Sequence, residues 1–232
     1  MNIKRLLHIK QLRDSYVKDG QTYRIFRISD DDTEPIEDLS NPKLVNDVFN
    51  ECLQQQIDGT LPKGFVYELG MPSEALKSSG MKDLPIEMAS RRLLNKSMQE
   101  NHLFDLKEIF NLPDAIQNPL AVFRSATKMY DSYVVLTELK HKGKNFVAAI
   151  QVNERGNNIE VNSIRSIHYR TLYNIVDWIT ENLGEYFCPD FKEKWLNPTK
   201  KELLSKQQYQ PADVREQLNN ATKIIEEFNK TN

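Results

Sequence analysis

The chain has 232 residues, of which 28% are charged and 39% hydrophobic, and a formal net charge of −2. This composition is typical of an ordinary globular protein and excludes a disordered or fibrous one. The near-neutral charge excludes a protein that binds polyanions with its whole surface, and the two cysteines, Cys52 and Cys188, lack the spacing of a metal site or a disulfide framework.

The N-terminal 40 residues predict a short helix, a short strand at 22–28 and an acidic loop. Their opening run, MNIKRLLHIKQLRD, is too broken by charge to be a secretory signal. No window of the chain approaches the roughly 18 continuous apolar residues of a membrane span. We therefore expect a cytoplasmic protein, or one exported by a route that leaves no such signal, and in either case no membrane partner. The loop at 29–38 carries six carboxylates and no base, which makes it a candidate inhibitory cover for a basic cleft.

Helical patterns alternate with short extended pieces between residues 41 and 119. Asn41 followed by Pro42 is a favourable helix start, and apolar residues then recur every three or four positions, which predicts an amphipathic helix over 42–56. The shorter elements that follow are a strand at 65–70, a helix at 73–79, an extended piece at 84–89, a helix from Ser90 and one or two short helices within 101–119.

From Leu120 the apolar pattern changes to a period of two, which is typical of strands. Four such runs are separated by short turn segments, and short connections of this kind join antiparallel neighbours. The pattern therefore predicts a four-stranded antiparallel meander. Its strands are LAVFRSA (120–126), SYVVLTEL (132–139), KNFVAAIQV (144–152) and NIEVNSIRSIH (158–168).

Two more helices complete the predicted fold. Residues 171–184 place apolar residues on one helical stripe, and Gly184 is suited to end that helix. Pro211 opens the last helix. The predicted class is α+β, with N-terminal helices, the antiparallel sheet and C-terminal helices.

Basic residues are concentrated in the region of the predicted sheet. Between Leu120 and Arg170, eight Lys and Arg side chains outnumber four Asp and Glu side chains and leave a local charge of +4. This segregation is weak evidence for a basic surface. The eight are Arg124, Lys128, Lys140, Lys142, Lys144, Arg155, Arg165 and Arg170.

Polar residues occur on the predicted strands at positions that alternation assigns to defined faces. The fourth strand has one mixed face with Glu160, Asn162, Ser166 and His168 around Ile164. Such a face is typical of a binding sheet and equally of a sheet that faces solvent. The alternative to a site role for Glu138 is an ion pair with a lysine on a neighbouring strand. The alternative for His168, His141 and His8 is an ordinary surface histidine.

His102 is the first candidate for proton transfer, because an unperturbed imidazole titrates near neutral pH and Lys96, Arg91 and Arg92 precede it. The alternative is a histidine that only caps a helix. The sequence has no G-x-S-x-G, P-loop or G-x-G-x-x-G motif and no metal-ligand cluster. What remains is acid/base chemistry without a metal or a cofactor, or no chemistry.

The segments NHLFDLKEIFNLPDAIQNPLAVFRS (101–125), YVVLTELKHKGKNFVAAIQV (133–152) and IEVNSIRSIH (159–168) resemble, in order and spacing, the MuF C-terminal domain family. Domains of that family occur in phage head-morphogenesis proteins and in polyvalent proteins of mobile elements. The resemblance covers about 65–205 and divides the chain into an N-terminal extension, 1–64, and an α+β domain, 65–232. One departure follows Ser166, where the family has an aromatic residue and a glycine and this chain has IHYR.

The resemblance implies membership in the barnase, EndoU, colicin and RelE-like group of metal-independent RNases, which cleave RNA through its own 2′-hydroxyl. It assigns general acid/base catalysis to His102, with Glu138 as the alternative base or as the group that orients His102. The residues expected to donate hydrogen bonds to phosphate or base are Ser125, Thr137, Asn162 and Ser166. The residues expected to supply positive charge to the substrate are Lys96, Arg124, Arg165 and Arg170.

Three functions follow from these observations. The first is an RNase-like toxin or processing domain of a phage or mobile element, an endoribonuclease delivered with a phage or a secretion system and restrained by an immunity or antitoxin protein. The second is a binding module for nucleic acid or protein without catalysis. The third, a transferase that uses a nucleotide cofactor through Glu138, is disfavoured because no Gly-rich or Arg-led motif accompanies that residue.

Overall fold

The computed structural model describes residues 25–26, 37–38, 41–100, 103–127, 131–156, 159–205 and 212–231. Strands β1 (Ile25–Phe26) and β2 (Glu37–Asp38) pair as an antiparallel ribbon. The other strands are β3 (Val66–Glu68), β4 (Ile86–Ala89), β5 (Ala121–Arg124), β6 (Ser132–His141), β7 (Lys144–Gly156), β8 (Ile159–Tyr169) and β9 (Gly184–Phe187).

The α-helices are α1 (Pro42–Ile57), α2 (Glu74–Ser78), α3 (Ser90–Ser97), α4 (Leu112–Gln117), α5 (Leu172–Thr180), α6 (Asn197–Ser205) and α7 (Ala212–Thr231). A 3₁₀ helix spans Leu106–Ile109, and a π-helix at Lys192–Leu196 leads into α6. Helix α1 begins as predicted, because the Asn41 side chain accepts a hydrogen bond from the Leu44 backbone N–H at 3.3 Å. Among the described residues, no helix is both long and apolar enough to cross a membrane.

The protein is α+β, but its main sheet has seven strands in the order β3-β4-β8-β7-β6-β5-β9. Strands β5 to β8 are antiparallel neighbours in chain order, whereas β4 runs parallel to β8. The predicted four-stranded antiparallel meander is therefore wrong. Two of the three additional strands, β3 and β4, fall on the strand predicted at 65–70 and the extended piece predicted at 84–89. With only three or four residues each they gave no signal that they join the sheet, and β9 was not predicted.

The predicted helix over 171–184 also ends earlier, because α5 stops at Thr180 and Gly184 begins β9. A Cβ atom at Gly184 would lie 2.5 Å from Cζ of Phe187, so this glycine allows the Phe187 ring to pack against the backbone. The glycine that suggested a helix end is instead required by strand packing.

The sheet is covered on both faces. On the first face, Phe49 and Leu53 of α1 share a core with Val135 and Phe146 of the sheet. On the second face, the helices α5 and α7 cover the neighbouring strand residues, including Leu136 and Val147. Helix α1 thus contributes to the same core as the strands, although it precedes residue 64; the proposed division at that residue stays a prediction.

Candidate functional site

The β6–β7 hairpin ends in a tight turn that concentrates positive charge. Lys142 and Gly143 have φ angles of 47° and 80°, which suit the type I′ turn of a two-residue hairpin. Lys140, Lys142 and Lys144 surround this turn with exposed side chains. The end of β8 lies beside them, since the Arg170 N–H donates to the Asn145 carbonyl at 3.0 Å. We call the following set the hairpin-end surface: Lys140, His141, Lys142, Lys144, Tyr169, Arg170 and Tyr173.

Aromatic rings hold the cations of this surface in place. The His141 ring stacks on Tyr169 with centroids 4.5 Å apart, and Nζ of Lys144 lies 5.3 Å from the Tyr169 centroid. Cζ of Arg170 lies 5.9 Å from the Trp178 ring. Both distances are within the range of cation–π attraction. Nε of Arg170 is buried and has no hydrogen-bond partner within the described residues.

His141 is paired with a carboxylate. Its Nδ1 lies 2.7 Å from Oε2 of Glu108, and its side chain is 10% exposed. Glu108 belongs to the 3₁₀ helix and also accepts a hydrogen bond from the Asp105 N–H at 3.1 Å in a capping box. A carboxylate on Nδ1 orients the ring and leaves Nε2 as the nitrogen that does not contact Glu108. The sequence predicted only a surface histidine here, because its partner is 33 residues away.

Thr137 is fully buried and its hydrogen bonds are internal. Its hydroxyl donates to the Phe146 carbonyl at 2.9 Å, and its own carbonyl accepts from Nδ2 of Asn145 at 2.8 Å. Oδ1 of Asn145 accepts from Nε1 of Trp195 at 3.2 Å. We call Thr137, Asn145 and Trp195 the interior network. It joins β6, β7 and the π-helix, and no sequence pattern marks Asn145 as a member.

Asn162 is also fully buried, at a different place in the sheet. Its Nδ2 donates to the carbonyls of Lys82 and Leu84 at 2.9 and 2.8 Å, which ties the loop before β4 to β8. Asn162 pairs with Ile86, whereas the residues beside Thr137 are in register with His168, six positions further along β8. At 3.3 Å per residue, about 20 Å separates the two side chains.

The remaining predicted donors have local contacts. Oγ of Ser125 lies 3.3 Å from Oγ1 of Thr127, and Oγ of Ser166 lies 3.0 Å from Nδ1 of His168. The predicted acid/base residue, His102, lies outside the described residues. The structure therefore does not bring Thr137 and Asn162 together at one anion site, and it places Ser125 just after β5 and Ser166 on β8.

The predicted basic residues are likewise distributed. Arg124 forms an ion pair with Glu185, and Lys96 donates to Oε1 of Gln99 at 3.3 Å. Arg165 is exposed on β8. Arg170 lies in the hairpin-end surface.

Glu138 lines a separate cavity of about 510 Å³ between α4, β6 and the segment after β9. Its Oε1 lies 3.1 Å from Nζ of Lys194, and the two side chains are 58% and 50% exposed. The hydrogen bond that Lys194 donates to Glu138 raises the pKa of Lys194, and burial raises the pKa of the Cys188 thiol. We call this the acidic cavity, because Asp114 and Asp190 also line it. No group of three or more potential metal ligands was found among the residues that the structure describes.

A family model described as the phage MuF-C-terminal domain matches residues 93–190. The matched stretch runs from within α3 to just beyond β9 and includes the β6–β7 hairpin and Glu138. The resemblance to this phage domain is thus confirmed, over a shorter range than 65–205. Searches of curated proteins and of solved structures found no match. The chain is therefore similar to a phage-associated domain over this stretch, and nothing in the comparisons supports the nuclease fold group.

Proposed function

We propose that this phage-associated domain binds nucleic acid, and RNA in particular, through the hairpin-end surface. One observation carries the proposal. Lys140, Lys142, Lys144 and Arg170 gather around a single hairpin turn in a chain whose overall formal charge is −2. Local clusters of this kind bind phosphates by neutralising them and releasing counterions.

The side chains of the hairpin-end surface are suited to contact the phosphates of the nucleic-acid backbone and unpaired bases. The carboxylate of Glu108 is hydrogen-bonded to His141 rather than to one of the lysines. The Tyr173 side chain in the first turn of α5 is 43% exposed, and a ring in that position can stack on a base of a single strand. Lysine contacts to phosphate carry no base information, so we expect little sequence preference.

A second candidate function is cleavage of the bound RNA, and the His141–Glu108 pair favours it. Nε2 of His141 would take the proton of a 2′-hydroxyl, whose oxygen would attack the adjacent phosphorus while the bond to the 5′-oxygen breaks. The products would be a 2′,3′-cyclic phosphate and a 5′-hydroxyl, once an acid returns a proton to the leaving oxygen. Lys144, whose ammonium lies over the same Tyr169 ring that stacks on His141, would stabilise the growing phosphate charge. The acid/base role of His102 stays a prediction.

Fluorescence anisotropy with a labelled 12-nucleotide single-stranded RNA tests the binding proposal. The triple variant K140Q/K142Q/K144Q should bind about thirtyfold more weakly, and the slope of log K against log salt should decrease by about 2, because three phosphate contacts are removed. The matched control K43Q/K63Q/K223Q removes the same charge from exposed lysines elsewhere. Equal losses in both triple variants, or no loss in the first, would contradict a local interface.

Cleavage is tested with the same RNA on denaturing gels. If the second candidate is right, wild-type protein yields a cyclic-phosphate product, H141A abolishes it, and a single 2′-deoxy substitution at the cleaved position blocks it. E108Q should reduce the rate and keep RNA affinity within about twofold. Intact RNA after prolonged incubation with wild-type protein would exclude cleavage, and RNA binding would be the one function still proposed.

A further inference from the structure

The acidic cavity has the opposite charge to the hairpin-end surface. Asp114 comes from α4, Glu138 from β6 and Asp190 from the segment after β9, and Lys194 is the cation among the lining residues. Three carboxylates and one ammonium leave a formal charge of −2 in a volume of about 510 Å³. A ligand that carries phosphate would be repelled here, whereas a cationic ligand would be attracted.

The cavity already holds an ammonium group from this chain. Nζ of Lys194 lies 3.1 Å from Oε1 of Glu138, and both side chains are about half exposed. An exposed ion pair of this type contributes little free energy, so a second cation can compete for Glu138. Asp114 accepts a hydrogen bond from Nδ2 of Asn118 at 3.0 Å, and a carboxylate can accept several more.

A second cavity of about 260 Å³ lies on the other flank of α4. Asn118 lines both cavities, so they adjoin at the end of that helix. The second cavity is mainly apolar, and the residues that make it so are Pro42, Val45, Leu69, Met71, Pro72 and Pro113. An acidic cavity and an apolar cavity thus meet at one surface position.

We propose that the two cavities form a docking groove for an extended segment of a partner protein. The segment places a Lys or Arg side chain in the acidic cavity and an apolar side chain in the second cavity. The charge complementarity of Asp114, Glu138 and Asp190 to a single cation carries the assignment. This groove is separate from the hairpin-end surface, so the inference does not depend on RNA binding.

NMR titration of the ¹⁵N-labelled full chain tests the groove with single-residue probes. N-acetyl-lysine methylamide should shift the amides of Glu138, Leu139 and Asp190 in a saturable manner. The neutral isostere N-acetyl-norleucine methylamide should bind there at least about tenfold more weakly, because it lacks the ammonium. N-acetyl-leucine methylamide should instead shift Leu69 and Met71, and it should bind together with the lysine probe.

Two variants that should change the affinity for the lysine probe in opposite directions complete the test. E138Q/D190N should weaken the lysine probe about tenfold, whereas K194Q should strengthen it about threefold because it frees Glu138. The control E100Q/E216Q removes two exposed carboxylates that do not line the cavity, and it should leave the affinity unchanged. Non-saturable shifts, equal affinity for norleucine, or weaker binding to K194Q would overturn the proposal.

Discussion

The interior network and the hairpin-end surface use the same two strands in opposite ways. Thr137 and Asn145 are buried, and the hydrogen bonds of their side chains go to other groups of the protein. Lys140 and Lys144, a few positions away, have exposed ammonium groups. The comparison teaches that a polar residue on a strand indicates a ligand site only where the chain has not already provided its partner.

A similar contrast separates neighbouring charges on β6. Glu138 lies in the acidic cavity with Lys194, whereas Lys140 lies at the hairpin turn. The register between β6 and β7 shifts between Leu136 and Lys140, so simple alternation does not hold across these positions. The irregularity allows opposite charges two residues apart to serve different surfaces.

The largest effect should come from the centre of the interior network. N145A removes the donor to the Thr137 carbonyl and the acceptor for Nε1 of Trp195, and leaves both groups unpaired in a dry interior. We expect a loss of about 3 kcal/mol in the free energy of unfolding, measured with urea. The exposed control N95A should lose less than about 0.5 kcal/mol. Similar losses of unfolding free energy in N145A and N95A would contradict a special structural role for the interior network.

Part of the fold could be predicted because the strands concerned are long. Strands β6, β7 and β8 have ten or more residues, and their apolar alternation and short connections were visible in the sequence. The pairing of β4 with β8 was not visible, since it joins segments about 75 residues apart through Ile86 and Asn162. A parallel pair of that kind leaves no local turn signal.

The positive charge of the candidate site could be predicted from the sequence, but the contacts of its residues could not. The concentration of basic residues between Leu120 and Arg170 included the four that gather at the hairpin end. The polar positions Thr137 and Asn162 looked like ligand donors, because a sequence cannot show that a main-chain carbonyl will accept their hydrogen bonds. The His141–Glu108 pair depends on tertiary structure, so no pattern of spacing could have found it.

The next largest effect is expected at the turn of the hairpin-end surface. K142E reverses one charge at the turn and should weaken single-stranded RNA binding about tenfold, about 1.4 kcal/mol. Its side chain is exposed, so the free energy of unfolding should change by less than about 0.5 kcal/mol. The control K63E places the same reversal at an exposed lysine elsewhere and should leave RNA affinity within about twofold. If K142E lowered the free energy of unfolding and kept its RNA affinity, Lys142 would have a structural role and no role in RNA binding.

A smaller effect is expected at the other member of the interior network on β6. T137V keeps the shape of the side chain and removes the hydroxyl that donates to the Phe146 carbonyl. We expect about 1 kcal/mol of destabilisation by urea unfolding, with RNA affinity unchanged. The control T60V removes an exposed hydroxyl that donates to the Gln55 carbonyl at 3.3 Å, and it should cost less. If T137V abolished RNA binding in a folded protein, Thr137 would be a ligand donor after all.

The smallest effect on stability should come from Glu138, the residue next to Thr137. E138Q removes an ion pair between two side chains that are about half exposed, so the free energy of unfolding should stay within the error of the urea measurement. Because the Glu138 hydrogen bond raises the pKa of Lys194, the variant should lower that pKa toward its ordinary value, as an NMR titration of Nζ would show. Lys192 is a control within the same protein, since its raised pKa depends on Glu226 and should not move. A stability loss as large as that of T137V would mean that Glu138 belongs to the interior rather than to the cavity.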